Sequence, residues 1–297
     1  MTRFLEVVAA GLGSGSYYAL LAVGFVIIYK STRVISFAQP ALMVVGASFV
    51  IYFATERNWN FLLAVLLGVL GTAAVALVIE RLALRPMVGK PVFVVAIITI
   101  GIDVAVRVFV NKYLGTDVRR MGDPWGLKAN SFGGIGIQQR HLAMMIVTGI
   151  VVALLFGFFK FSRAGLAMRA TAADQETALA HGVSVGTVFA LSWAIAGGLA
   201  ALAGMFVGVG SVVDQGTWTV ALKALPAIIV GGLDSIGGAV VGGLLVGVVE
   251  SLMSEYQSEH LPWLGDNFAI VSPYALMLIV LLIRPYGLFG TPEIERV

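Results

Sequence analysis

Long apolar runs fill most of the chain, and short polar stretches interrupt them at a few places. Runs at Val7–Tyr29, Pro40–Ala54, Phe61–Leu82, Val92–Val110, His141–Phe159 and Thr187–Gly210 approach the roughly 20 residues that carry an α-helix across a bilayer. Two shorter pieces follow, Val220–Gly231 and Ile236–Ser251, and then a last run at Phe268–Ile283. The pattern predicts an all-α polytopic bundle, a single transmembrane domain over residues 1–297 with about eight or nine spans, some of them short or broken. The longest connection, Asn111–Arg140, is polar and Gly-rich and is expected to be a surface loop.

Two polar breaks fall inside this apolar pattern. In Ser31–Pro40 (STRVISFAQP), Pro40 suits the first position of a new helix and cannot continue an old one. The second break is Gly231–Gly238, GGLDSIGG. Irregular backbone at membrane depth persists only where protein buries it or a wet cavity meets it, so paired breaks point to a transport pathway. Ordinary tight turns at the membrane surface are the alternative. Gly204 with Gly208, Gly238 with Gly242, and Gly243 with Gly247 have the small-xxx-small spacing of close helix packing.

The third interruption is outside the apolar runs. Lys160–Gly186 reads KFSRAGLAMRATAADQETALAHGVSVG, and its Ala-rich part from Arg163 to His181 is helix-compatible. Gly182 suits a left-handed C-terminal cap. Small side chains and a few charges make this helix a surface that another protein could approach; a solvated loop helix is the plainer reading.

Composition agrees with a membrane protein: 59% of residues are hydrophobic and 12% charged. The net charge of +3 gives no reason to invoke nucleic acid, and the absence of cysteine removes disulfides and thiolate metal sites. His141, His181 and His260 are scattered without metal-ligand spacing, and no nucleophile–base set stands out. Gly89–Lys90 lacks the upstream glycine of a phosphate-binding loop and is followed by Pro91. We therefore expect no catalytic residue, metal or cofactor in this chain, with any energy for transport supplied by a partner or an ion gradient.

Asp103 and Arg107 are four residues apart on one helix face, where pairing offsets the cost of intramembrane charge. Glu80 and Glu250 are read as near span ends with no role, and Lys223 as able to reach outward. Lys30 and Arg33 mark one loop and Arg81, Arg85 and Lys90 another, which the positive-inside tendency makes cytoplasmic. The Lys160 segment then falls on the same side, with the N-terminus outside and the C-terminus inside.

The segment RAGLAMRATAADQETALAHGV resembles the cytoplasmic coupling motif of permeases from bacterial ATP-binding-cassette importers. Nearly the whole chain resembles the branched-chain amino acid permease family, LivH type. GSYYALLAVGFVIIYKSTRVISFAQ, IERLALRP, KALPAIIVGGLDSIGGAVVGGLLVGVVE and RPYGLFGTPEIERV carry the likeness in order. The resemblance implies a bacterial inner-membrane importer with a second, different permease subunit, two ATPase subunits that bind ATP and Mg, and an extracytoplasmic solute-binding protein. It places Arg163, Gly165, Arg169, Ala172, Asp174 and Gly182 at recurring positions of a coupling helix docked on the ATPase. Phe37, Gln39, Thr99, Asp103, Lys223, Gly231 and Gly232 are the candidates for the substrate pathway.

One departure from the family bears on cargo. The first break often reads NFAHGE there but is Ser36-Phe37-Ala38-Gln39-Pro40-Ala41 here. Branched-chain amino acids are the default cargo; urea, amides and small carboxylates stay open, as does an ion-coupled carrier using Asp103.

Overall fold

The computed structural model describes residues 2–87, 90–114, 119–126, 128–214, 216–264 and 267–291. Gly89 and the C-terminal PEIERV lie outside the described residues. In chain order the helices are α1 (Thr2–Thr32), α2 (Gln39–Ile51), α3 (Phe61–Ile79), α4 (Val92–Leu114), α5 (Gln139–Phe161), α6 (Arg163–Ala173), α7 (Gln175–Ala180), α8 (Val185–Gly210), α9 (Trp218–Leu222), α10 (Ala224–Gly231), α11 (Ile236–His260) and α12 (Ser272–Ile283). Strands β1 (Arg119–Arg120) and β4 (Val212–Val213) pair antiparallel, as do β2 (Ala129–Phe132) and β3 (Ile135–Gln138). Among the described residues seven helical segments are long and apolar enough to cross a membrane, and Trp218–Gly231 and Ser272–Ile283 are shorter apolar pieces.

The helix starts follow their local chemistry. Side chains of Asn60, Ser162, Ser184 and Ser235 accept backbone N–H bonds at the first turns of α3, α6, α8 and α11. Pro40 occupies the first turn of α2, where its missing N–H costs nothing.

Contacts divide the chain into two units, with α1 and α5 contributing residues to both. In the unit made of residues 24–124 and 149–221, α2 is enclosed by α3, α4 and α8 and is buried almost throughout. α8 also lies against α3, and a Cβ on Gly197 would come within 2.8 Å of Ala76 Cβ. α4 and α5 instead turn Phe93, Val108, Ile150 and Leu154 outward, an apolar surface for lipid or a membrane partner.

In the unit of residues 1–23, 125–148 and 222–297, α10 and α12 pack on α11. A Cβ on Gly15 of α1 would sit 2.8 Å from Leu244 Cα, and Gly243 and Gly247 of α11 meet Ala19 and Gly15. Close backbone approach of this kind holds helices together where no hydrophobic force separates lipid from protein.

Two expectations change. α11 runs on to His260 rather than stopping near Ser251, because its polar last turns bury Gln257 and bond Ser251 Oγ to the Val7 carbonyl. The 111–140 connection is no bare loop: α4 extends to Leu114, and β2–β3 form a hairpin closed by Gly133 and Gly134, both with positive φ.

Candidate functional site

The first break is a buried re-entry of the chain. α1 ends at Thr32, and Arg33 adopts a left-handed backbone with φ 58°, a strained conformation for a non-glycine residue. The chain then turns inward to start α2. Phe37 N–H donates to Thr99 Oγ1 of α4 at 3.1 Å, so a side chain satisfies a backbone donor freed by the break. Gln39 is wholly buried; its Nε2 donates to the Ala196 carbonyl of α8 at 3.1 Å. Gln39 Oε1 has no partner among the described residues.

Asp103 lies beside the Ala41 N–H at the first turn of α2, where the helix dipole favours negative charge. Its Oδ2 pairs with Arg107 Nη2 at 2.6 Å, while its buried Oδ1 lacks a partner among the described residues. Arg107 also sits 4.2 Å over the Trp218 ring. Phe37, Gln39, Thr99 and Asp103 thus gather around one buried helix start.

The second break is a packed turn. Gly232 (φ 107°) closes α10, and Leu288 N–H and Phe289 N–H donate to the Val230 and Gly231 carbonyls at 2.8 and 3.0 Å. Asp234 accepts from Thr291. A Cβ on Gly231 would approach Ala239 N to 2.8 Å. Gly231 and Gly232 are therefore placed where two helices and the C-terminal segment touch.

Lys223 is elsewhere in the same unit and forms an ion pair with Glu250, to which the Tyr18 hydroxyl also donates at 2.6 Å. This corrects the expectation for both charges. Glu250 is fifteenth of the 25 residues of α11, well inside the helix, and it holds Lys223 rather than leaving it to reach outward. Glu80 is likewise buried at 1% exposure instead of reaching an interface. An acidic residue within an apolar span needs a partner, and that rule was the available signal.

The polar interruption forms two helices, not one. Asp174 breaks the run with extended backbone and caps α7: its carboxylate accepts from Glu176 N–H, Thr177 N–H and Thr177 Oγ1 at 2.9, 3.2 and 2.6 Å. These bonds, the Thr177 hydroxyl first, hold the exposed carboxyl below its ordinary pKa. Gly182 takes the expected left-handed cap with φ 80°; Gly182 N–H reaches the Leu179 carbonyl and Val183 N–H that of Ala178.

Arg163, Arg169 and Asp174 are exposed, as are Leu166 and Leu179, whereas Gly165 is buried against Phe158 and Phe159 of the preceding helix. Two long-range bonds anchor the pair to the first break. Arg33 Nη2 donates to the Ala172 carbonyl at 2.6 Å, and Gln175 Nε2 donates to the Ser31 carbonyl at 2.9 Å. Arg85 lies against Gly186 just beyond. Arg33 was read only for its charge, and nothing local foretold that it would reach across 139 residues.

Among the described residues no three His, Cys, Asp or Glu side chains cluster as a metal site. The family model for the permease component of the branched-chain amino acid transport system matches residues 7–283, which span both breaks and the anchored helices. The chain belongs to this family. The LivH permease protein of high-affinity branched-chain amino acid transport in Salmonella typhimurium is 31% identical, over 99% of this chain and 98% of its own. BraD of Pseudomonas aeruginosa, described the same way, is also 31% identical over 99% of this chain. A probable LivH from Methanocaldococcus jannaschii is 28% identical over 91%. A solved structure, PsaBC from Streptococcus pneumoniae in complex with Fab, shares the fold with a TM-score of 0.52 at 14% identity, covering 96% of this chain and 92% of that one. As a branched-chain permease component, the chain is a multi-pass membrane subunit of a transport system.

Proposed function

We propose that this chain is the permease subunit of an ATP-binding-cassette importer, forming the pathway for related small hydrophobic amino acids or for branched-chain amino acids, the latter being the cargo named for its relatives in Salmonella and Pseudomonas. The observation that carries the reading is the double tether of α6–α7 to the turn after α1. A push on the exposed face of these helices is transmitted by Arg33 and Gln175 to residues 31–33, and thence to the buried start of α2. There Phe37, Gln39, Thr99 and Asp103 meet the cargo.

ATP and Mg belong to two cytoplasmic ATPase subunits, which grip Arg163, Arg169 and Asp174. A second, different permease completes the pathway, and a solute-binding protein delivers cargo from outside. Cationic loops support this orientation: Arg33 and Arg85 share one end of the bundle with α6–α7, the cytoplasmic end by the positive-inside tendency, with the N-terminus outside.

Isolation in mild detergent should retain an ATPase pair. Arg169→Trp or Asp174→Trp should then lower cargo-stimulated ATP hydrolysis about tenfold or more, a loss of roughly 1.4 kcal/mol in coupling. Full uptake by membranes containing no associated ATPase would replace this reading with an ion-coupled carrier, with Asp103 as its coupling group.

A further inference from the structure

A cavity lies beside the tether and reaches the first break, with Ser36 and Thr99 in its lining. It measures about 360 Å³, at the low end of small-molecule pockets. Its inner wall is apolar, formed by Leu84, Val95, Phe189 and Trp193. Its exposed edge carries Arg33 and Lys90, and none of the lining residues is acidic. Among the described residues the Lys90 ammonium has no ionic or hydrogen-bond partner, and Arg33 uses a single N–H on the Ala172 carbonyl. Gln175, which tethers α7 to Ser31, lines the same cavity.

We propose that this cavity binds a small molecule joining an apolar group to a carboxylate, and that α6–α7 sense its occupancy. The two exposed cations select the carboxylate: guanidinium offers paired donors, and ammonium a point charge. The buried wall takes the hydrocarbon. A carboxylate at this edge competes with the Ala172 carbonyl for Arg33, which is already held in a strained backbone, so occupancy loosens the hold on α6. The sensing role rests on the reading of α6–α7 as the coupling arm; the binding site does not.

The chain has no cysteine, so Ala180→Cys on exposed α7 accepts a single spin label in the full-length permease. In discs of zwitterionic lipid without ATPase, 4-methylpentanoate is titrated against 3-methylbutylamine, which has the same branched hydrocarbon and the opposite charge. The carboxylate should bind saturably by calorimetry and increase label mobility, whereas the amine should do neither. Lys90→Gln, on an exposed side chain and so safe for folding, should weaken binding about tenfold or more. Arg33→Gln should raise label mobility without ligand.

Equal binding of the amine, or an unchanged Kd in Lys90→Gln, overturns the proposal. So does a label that responds to anionic lipid but not to the soluble carboxylate, which would make the site a headgroup contact. Because no ATPase is present, carboxylate binding with no ATPase ever co-purifying would sink the importer reading and leave the site standing.

Discussion

The two breaks in the apolar pattern look alike in sequence and are built in opposite ways. At Gly231–Gly238 the chain closes on itself: glycines let α10 and α11 touch, the N–H groups of Leu288 and Phe289 donate to the freed carbonyls of Val230 and Gly231, and the side chains present, Ser235 and Asp234, spend their oxygens on Gly238 N–H and Thr291. At Ser31–Pro40 the devices are side chains, and they leave polar atoms over: Gln39 Oε1 and Asp103 Oδ1 are buried without partners among the described residues. Unsatisfied buried acceptors are costly and call for an explanation, and a polar cargo or water supplied during transport is one. A turn that closes on itself needs nothing further. Leftover hydrogen-bonding capacity, rather than the loss of helical pattern, sets the first break apart from the second and supports the pathway proposed for it.

The largest expected effect tests the closed break. Gly232→Val places a β-branched side chain at φ 107° and drives its Cβ to within 2.5 Å of Gly290 N. Backbone strain and overpacking together should cost about 3 kcal/mol or more. Thermal unfolding in detergent should show this directly, with any transport loss following the amount of folded protein. A stable Gly232→Val permease that fails to transport would reverse the comparison.

Asp103→Ala tests the open break next. It strands Arg107, whose side chain is 25% exposed against 10% for Asp103, so the cost should fall below that of a fully buried pair, about 2–3 kcal/mol. Adding Arg107→Ala should recover part of this stability, less the lost contact with Trp218. If transport stays absent when stability returns, Asp103 serves the cargo; if both return together, the pair is structural.

Gln39→Leu separates stability from function most sharply. It removes the orphan oxygen as well as the bond to the Ala196 carbonyl, so stability should change by only about 1 kcal/mol. Uptake measured with equal amounts of folded protein should fall about tenfold if Gln39 faces the cargo. Unchanged uptake would make the first break as inert as the second.

Most helices were legible because an apolar run near 20 residues has few other meanings, and Pro40 and Gly182 announced a start and a stop. What escaped was long-range or energetically fine. Lys223 and Glu250 are 27 residues apart, and only the packing of α10 on α11 shows that they meet. The polar stretch SEYQSEH hides the last turns of α11 from the apolar pattern, although Gln257 within it is buried. The candidate pathway residues around α2 were named from the break itself, but the sequence held no sign of which polar atoms would remain unsatisfied. The tether from Arg33 to Ala172 is a fact of tertiary structure alone.

The smallest effect concerns a third interruption, the one outside the apolar runs. Asp174 splits an Ala-rich stretch that propensity alone would keep helical, and its carboxylate takes over the freed donors of α7. Its folded pKa is lowered by these bonds, so the cap's contribution is complete above the unfolded value of about 3.9 and is lost as pH falls through the lower folded value. Amide exchange at Glu176 and Thr177 should quicken in Asp174→Ala at neutral pH and much less in Asp174→Asn, which keeps an acceptor oxygen. In the wild type the same amides should lose protection only under acid conditions. If Asp174→Asn caps normally and still uncouples ATP hydrolysis, the charge of Asp174 acts on a partner beyond its local bonds. This interruption then joins the first break, where side chains have capacity beyond what the fold uses, and not the second.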